Sequence, residues 1–258
     1  DVCSSDLFGT VTLGRQYTPY FLTLNGADPF SSGMAGAAIN MMASSGTRMN
    51  NAIKYASPLI EGFSGELAYG FGEEADSSSK GRIISGSVGY AAAPVSVKLA
   101  HHNKRNASDT DSAKNTLLAG TWDFQIAKLH LGYASNKGID SSPYTWNPTN
   151  ATGTANPLGF TGASAGSTKS NDFMIGASVP FENHTFLVSY IRKDDRNAAN
   201  NDANLFGLGY TYAISKRTNV YAAWARIDNK NLASYTVGNN SETGSGDKAF
   251  NLGLRHTF

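Results

Sequence analysis

The sequence predicts an all-β protein, a transmembrane antiparallel β-barrel, and three observations lead to that prediction. Large apolar residues recur at every second position in most segments, with Gly, Ser, Thr, Lys and His between them. Long polar connections alternate strictly with short ones along the chain. Aromatic residues gather at strand ends, as in a membrane-interface girdle: Tyr90, Trp122, Phe124, Phe181, Tyr210 and Tyr212.

The alternation divides the chain into about twelve strands. In segment 95–105, for example, Val97 and Leu99 alternate with Ser96 and Lys98. The predicted strands are 9–16, 48–58, 63–72, 82–90, 95–105, 115–124, 128–136, 172–181, 184–193, 203–214, 219–227 and 248–258. Segment 219–227 is equally apolar on both parities, so its faces are left unassigned.

The connections show which ends of the strands lie together. Short turns at 91–94, 125–127, 182–183 and 215–218 alternate with polar loops at 73–80, 106–114, 137–171 and 229–247. Outer-membrane barrels show this asymmetry, with long external loops and short periplasmic turns. A soluble β-sandwich is the alternative, but its crossovers place long connections at both ends. The polar face also carries Gly and hydroxyl residues rather than the Lys and Glu of a soluble surface.

Composition narrows the possible functions. The chain has 258 residues, 40% hydrophobic and 16% charged, with a net charge of +1, which suits one large domain and gives no reason to invoke nucleic acid. No apolar run approaches the ~20 residues of a transmembrane helix. The single cysteine, Cys3, excludes an internal disulfide.

The sequence gives no support for catalysis. No His and Glu residues have zinc spacing, and neither a Gly-x-Ser-x-Gly elbow nor a phosphate-binding Gly loop is present. His101 and His102 are adjacent, so they face opposite ways on a strand and cannot share a metal. We therefore expect no enzyme activity, no metal and no cofactor.

The connection between strands 9–16 and 48–58 is far longer than a hairpin needs. It holds one acid, Asp28, and no base before Arg48, and its apolar residues are too many to leave in water. These residues are Tyr17, Tyr20, Phe21, Leu22, Leu24, Phe30, Met34, Ile39, Met41 and Met42. We expect the loop to fold back inside a curved sheet, opposite Arg15 and Arg48, and to leave a narrow charged gap.

Arg15 is a difficulty for this scheme. It shares parity with Val11 and Leu13, which would aim it at lipid at a cost of about 2–4 kcal/mol near the midplane. We expect Gly14 to form a bulge or end the strand and to turn Arg15 inward.

Three stretches resemble the general diffusion porins of Gram-negative outer membranes, most closely beta-proteobacterial ones. They are Phe8-Gly-Thr-Val-Thr-Leu-Gly-Arg-Gln16, Arg-x-x-Asn-x-Ile-Lys-Tyr-x-Ser-Pro at 48–58, and Gly-Leu-Arg-His-Thr-Phe at 253–258. The resemblance covers everything after Leu7. It implies a sixteen-stranded, homotrimeric barrel in outer-membrane lipid, of which 8–258 is the C-terminal portion with about the last twelve strands, and a constriction loop at about 17–47.

The implied function is a water-filled channel for passive diffusion of small hydrophilic solutes and ions, with a mild anion preference because basic rings attract anions. For the constriction we predict Arg15, Arg48, Asp28 and Lys54, and for the remaining pore lining Glu66, Lys98, Lys128 and Arg255. The alternative is that most of these are scattered wall charges, screened within ~8 Å.

Two other functions stay open. A substrate-specific channel would need an aromatic track or an arginine ladder, and the sequence shows neither. A surface adhesin or receptor would act through the loops 137–171 and 229–247, exposing Tyr144, Trp146 and Tyr235.

The two ends of the chain carry separate predictions. Residues 1–7 resemble translated adapter sequence and are predicted to be a non-native leader; an ordinary N-terminus is the alternative. Phe258 ends the alternation Phe250, Leu252, Leu254, His256. In the resembling family such a terminal aromatic is read by the outer-membrane assembly machinery through edge pairing. An apolar strand that happens to stop at Phe is the alternative.

Overall fold

The computed structural model describes residues 4–5, 8–73, 77–139, 141–142, 167–231, 233, 235–237 and 247–258. Within them lies one sheet of thirteen antiparallel strands, each paired with its neighbours in sequence. The strands are β1 (Ser4–Ser5), β2 (Gly9–Tyr17), β3 (Arg48–Ala56), β4 (Phe63–Gly70), β5 (Ile83–Ala92), β6 (Val95–Arg105), β7 (Ser112–Asp123), β8 (Lys128–Lys137), β9 (Lys169–Phe181), β10 (His184–Asp195), β11 (Ala203–Ala213), β12 (Thr218–Asn229) and β13 (Lys248–His256).

The predicted all-β fold is confirmed. Twelve of the thirteen strands are long, as predicted, because β1 has only two residues. Within the described ranges the sheet does not close, because no pairing joins β1 to β13. The alternation of connections also holds. The connections 57–62, 93–94, 124–127, 182–183 and 214–217 lie at one end of the sheet, and the others, among them the long connection 18–47, lie at the other end.

Large apolar side chains point away from the centre of the structure. Leu99 is 46% exposed and Phe186 52%, whereas Ala100 and Leu187 on the opposite parity are buried. The same pattern holds for Leu67, Val97 and Tyr190. A soluble barrel would reverse it, because its apolar parity would fill the core. The apolar face of the sheet is therefore its outer face, as expected for a barrel wall in lipid.

The core is formed between the inner face and the connection from β2 to β3. A single apolar cluster joins Tyr20, Leu24 and Met41 of that connection to inner residues from β6 (Ala100) through β12 (Ile227). On a flat sheet, the six steps from β6 to β12 at ~4.8 Å each would span about 29 Å, too far for one small segment to touch both ends. The sheet therefore curves around the segment.

The inserted connection contains two helices that the sequence reading missed: α1 (Pro19–Ala27) and α2 (Ile39–Met42). Thr18 is the N-cap of α1, and its hydroxyl accepts a hydrogen bond from the Phe21 N–H. Pro19 follows at the first helical position, where its missing N–H costs nothing. Neither helix in the described residues is long and apolar enough to cross a bilayer.

The structure assigns the faces of β12, which the sequence left open. Trp224 lies opposite Leu208 and Phe250 and is exposed outward, whereas Ala223 and Ala225 are buried inside. Neighbouring strands therefore set the phase that composition did not.

The register shifts beside Gly14, where a bulge was predicted, but the extra residue lies on β3. Gly14 pairs with Ala52 and the next pair is Gln16 with Met49, so Arg15 faces two residues of β3. Gly14 has φ of +91°, a left-handed conformation that favours glycine.

The outward apolar face gives a first prediction. Leu99→Lys, in the middle of β6, should lower the free energy of unfolding in lipid vesicles by about 2–4 kcal/mol, because a lysine on the lipid face must be desolvated. Ser96→Lys, on the inner parity of the same strand, is the control and should cost less than about 1 kcal/mol. Urea titration of the refolded protein measures both values, and equal losses would contradict the assignment of the faces.

Candidate functional site

The inserted loop, residues 18–47, is held rigidly inside the sheet. Tyr20 and Leu24 of α1 are fully buried, and the Tyr20 hydroxyl donates to the Met42 carbonyl at 3.0 Å. Burial raises the pKa of Tyr20 well above its ordinary value, with the charge of Asp172 acting in the same direction. The hydroxyl thus stays a neutral donor that ties α1 to the end of α2.

Polar contacts fasten the same loop to several strands of the wall. His130 of β8 contacts the Ala27 carbonyl through Nδ1 at 2.9 Å, where α1 ends. His102 of β6 is hydrogen-bonded through Nε2 to Ser45 at 3.0 Å. On β13, Asn251 Oδ1 accepts from the Ala35 N–H at 2.6 Å. Strands on both sides of the loop therefore fix its position.

Glycines of the wall make room for the middle of the loop. Phe30 lies against Gly207 and Gly209 of β11, and a Cβ at Gly209 would come within 2.7 Å of the Phe30 ring. Any larger residue there would push Phe30 away. This close approach explains why the inner parity of the strand is so rich in glycine.

Asp28 organises the loop from within. It is the C-cap of α1, and its carboxylate accepts hydrogen bonds from the N–H groups of Phe30 and Ser32 at 3.0 Å and of Ala38 at 2.9 Å. Burial raises the pKa of Asp28 from 3.8 to about 6, and the three N–H groups oppose that rise. Asp28, predicted for the constriction, thus lies inside the loop and is only 3% exposed.

Lys54, predicted for the constriction, meets two of the predicted pore-lining residues, Glu66 and Lys98, on the inner wall. The Glu66 carboxylate of β4 forms ion pairs with Lys54 Nζ of β3 at 3.7 Å and with Lys98 Nζ of β6 at 3.3 Å. The alternation places all three on the parity of the buried Ala52, Ala68 and Ala100, which is the inner face.

The two arginines lie at the entry to the inserted loop rather than together. Arg48, the first residue of β3, contacts Tyr17, the last residue of β2, through a hydrogen bond to its hydroxyl and by stacking 4.4 Å from its ring centroid. Tyr17 in turn stacks on Phe21 of α1. Arg15 is exposed at the bulge. Their role in a constriction stays a prediction.

The remaining predicted site residues are spread along the wall. Lys128 pairs with Asp123 at 3.6 Å beside the short turn 124–127. Arg255 of β13 lines a groove together with Ser31 of the loop and Asn219 of β12. Phe258 lies beyond β13 and is fully exposed. Its role in assembly stays a prediction.

A buried ion pair was missed by the sequence reading. Lys193 of β10 donates to Asp172 of β9 at 2.6 Å, with both side chains 0% exposed. Asn136 also donates to this carboxylate, at 2.8 Å. The pair could have been predicted from the hairpin turn at 182–183, because the register that this turn sets places residue 172 opposite residue 193.

Tyr235 corrects an expectation for the loop 229–247. It was expected to be exposed in an adhesin, but it is 2% exposed and its hydroxyl lies 3.2 Å from that of Ser142. Burial raises the pKa of Tyr235 above its ordinary range. Tyr144 and Trp146, named with it, lie outside the described residues, as do most residues of the predicted leader.

Chemically, the inner wall offers ammonium, carboxylate and hydroxyl groups that can bind ions. In the described part of the chain no group of three or more His, Cys, Asp or Glu side chains is placed to hold a metal. The polar groups of the inner wall are instead distributed along a surface that the loop covers only in part.

Comparison with known proteins identifies a family. The sequence profile of the Gram-negative porins matches residues 2–232. An outer membrane porin protein of Bordetella pertussis is 27% identical over 98% of this chain and 70% of its own length. Outer membrane porin protein 32 of Delftia acidovorans is 28% identical over 100% of this chain and 72% of its own.

Solved structures give the same result. The anion-selective porin from Comamonas acidovorans superposes with a TM-score of 0.74 at 26% identity, covering 99% of this chain and 76% of that protein. OmpT of Vibrio cholerae, at 17% identity and a TM-score of 0.67 over 96% of this chain and 77% of its own, shares the fold.

Asp28 gives a prediction for pH. Because its folded-state pKa of about 6 lies above the ordinary 3.8, the packed loop favours the protonated carboxyl. Its contribution to loop stability is complete below pH 3.8 and is lost as the pH rises through 6, amounting to about 3 kcal/mol for two pKa units. Protection of the loop from proteolysis should therefore weaken between pH 4 and 7.

The control is Asp28→Asn, which has no proton to lose and should show no pH dependence across this range. Carbon-13 NMR of the labelled Asp28 carboxyl should give a midpoint near 6. A midpoint near 3.8 would contradict the burial of this carboxyl in the loop.

Proposed function

The chain belongs to the Gram-negative porin family, and on that premise we propose that it forms a water-filled channel across the outer membrane. Small hydrophilic solutes and ions diffuse through it passively. The observation that carries this proposal is the position of the inserted loop: it packs on the inner face while the apolar parity faces outward. A loop in that place narrows the path that the wall encloses.

We propose that the narrowing lies between this loop and the basic residues of the wall. The assigned residues are Arg15, Arg48, Lys54 and Asp28, with Glu66, Lys98, Lys128 and Arg255 along the rest of the path. Two facts support this assignment. Lys54 and Lys98 share a single acid, Glu66, and the loop's only acid, Asp28, turns its carboxylate towards backbone N–H groups.

A mild anion preference follows from that charge distribution. Two lysines against one glutamate leave an excess positive charge on the inner wall, which attracts anions and repels cations in a confined path. The relative from Comamonas acidovorans, described as anion-selective, is 26% identical to this chain and supports the same preference.

The whole assembly is proposed on family grounds. Residues 8–258 form one barrel domain with the constriction loop at about 17–47, the barrel lies in outer-membrane lipid, and three copies associate. The C-terminal strand, ending at Phe258, is the segment that the assembly machinery reads. An adhesin is less well supported, because Tyr235, one of its three aromatic candidates, is buried.

The reversal potential in a KCl gradient tests the arginine part of the narrowing. Arg48→Glu changes the local charge by two, so the anion-to-cation permeability ratio should fall about fourfold, because a charge at ~8 Å changes that ratio about twofold once salt screening is included. Lys216→Glu makes the same change in the short turn 214–217 and is the matched control, with an expected change below about 1.5-fold.

If Arg48→Glu behaves like this control while the channel remains anion-selective, the arginine at the loop entry does not border the narrow path. If the purified protein, completed to a closed barrel, forms no conducting pore in planar bilayers, the channel function itself is wrong.

A further inference from the structure

The wall near the short turns carries a connected set of polar side chains, which we call the inner-wall row: Thr12, Lys54, Glu66, Ser87 and Lys98. Cross-strand register joins them, because Thr12 lies opposite Lys54 on β2 and β3, and Glu66 opposite Ser87 on β4 and β5. The row thus crosses five neighbouring strands on the inner face.

The two lysines of this row keep unused donors. Lys98 Nζ donates to Glu66 Oε1 at 3.3 Å, whereas Lys54 Nζ is 3.7 Å from Oε2, an ion pair beyond hydrogen-bond distance. Each ammonium group has three donors, so a single carboxylate leaves most of them free for a ligand or water. The Lys54 and Glu66 side chains are 14% exposed and Lys98 is 32% exposed, so part of each side chain remains accessible to solvent.

Gly89 permits this convergence. Lys98 is on β6 and Glu66 is on β4, so the lysine must cross β5 to reach the acid. A Cβ at Gly89 would come within 2.3 Å of Lys98 Cγ, which shows that the side chain lies directly over the glycine. The geometry of the row is therefore built into the backbone of the wall.

Two hydroxyl groups of the row have no hydrogen-bond partner within the part of the chain that the structure describes. Ser87 is 6% exposed, and its Oγ is buried without a hydrogen bond among the described residues; the same holds for Thr12 Oγ1. Buried polar groups are normally paired, and a hydroxyl can donate to an oxyanion. Ser87 lies opposite Glu66, the acid that both ammonium groups contact, so its unpartnered donor indicates a place for an acceptor-rich ligand.

We propose that the inner-wall row is a binding site for small oxyanions, carboxylates or phosphate, along the permeation path. The ammonium groups of Lys54 and Lys98 supply the charge, and the hydroxyls of Ser87 and Thr12 supply directed donors. Glu66 holds both lysines in place and weakens the binding enough for the anion to leave, as conduction requires. This inference rests on the proposed channel function and assigns its preferred class of solute.

The test uses the purified protein in planar bilayers at constant ionic strength. Potassium acetate and potassium phosphate serve as separate probes, and each is titrated against the chloride current. In Glu66→Gln both ammonium groups lose their partner, so the anion-to-cation ratio should rise about twofold. The acetate concentration for half-inhibition should fall by about the same factor.

Asp123→Asn is the matched control, because it removes one inner-face carboxylate that pairs with Lys128 beside a short turn. It should change neither quantity by more than about 1.3-fold, since it lies outside the row and is screened by salt. Ser87→Ala should raise the half-inhibiting concentration of the oxyanions about fivefold through the lost hydrogen bond.

Inhibition by acetate, by phosphate or by both supports the site and tells the two sources of oxyanion apart. If neither inhibits, or if Glu66→Gln equals Asp123→Asn, the site is overturned. If Glu66→Gln does not fold, Lys98→Met, inside the row, is compared with Lys128→Met, outside it. Equal losses of oxyanion inhibition in these two variants overturn the proposal. A wild-type pore with no anion preference would instead refute the proposed function.

Discussion

The structure depends on one constraint: in hydrocarbon, each backbone N–H and C=O must find its partner within the protein. An antiparallel ladder in which successive strands pair meets this demand along the wall. Once the ladder stands in lipid, large apolar side chains such as Leu99 and Phe186 must face outward. The inner face then takes the small and polar residues, and its polarity is a consequence of the lipid outside.

The same constraint explains how the interior is divided. The inserted loop carries its own apolar surface, and it buries that surface against inner residues of β6 to β12. Glycines such as Gly207 and Gly209 permit the contact by letting Phe30 approach the backbone. The wall around Lys54, Glu66 and Lys98 keeps its polar side chains partly exposed. A selective channel requires both features in one wall. The packed loop sets the width of the path, and the exposed polar side chains set the charge along it.

Much of this was readable from the sequence, and the failures have physical causes. Alternation over Val95–Arg105 and the rhythm of the connections predicted strands, faces and the inserted loop, because each depends on local pattern. The phase of β12 did not follow from composition, since Trp224 is placed by its neighbours Leu208 and Phe250. The helix α1 was overlooked although Thr18 and Pro19 are a recognisable start. Lys98 reaches Glu66 only because of register across three strands and the space above Gly89, which no local pattern reports.

The most direct test of the account is which solvent each face of β6 meets. With Cys3 replaced by Ser, a nitroxide label is placed singly at Ser96, Val97, Lys98, Leu99 and His101 in lipid vesicles. Accessibility to oxygen, which concentrates in lipid, is then compared with accessibility to a water-soluble nickel complex. The account predicts that oxygen is favoured at Val97, Leu99 and His101 and the nickel complex at Ser96 and Lys98. The opposite phase, with the apolar positions shielded from lipid, would contradict a water-filled interior.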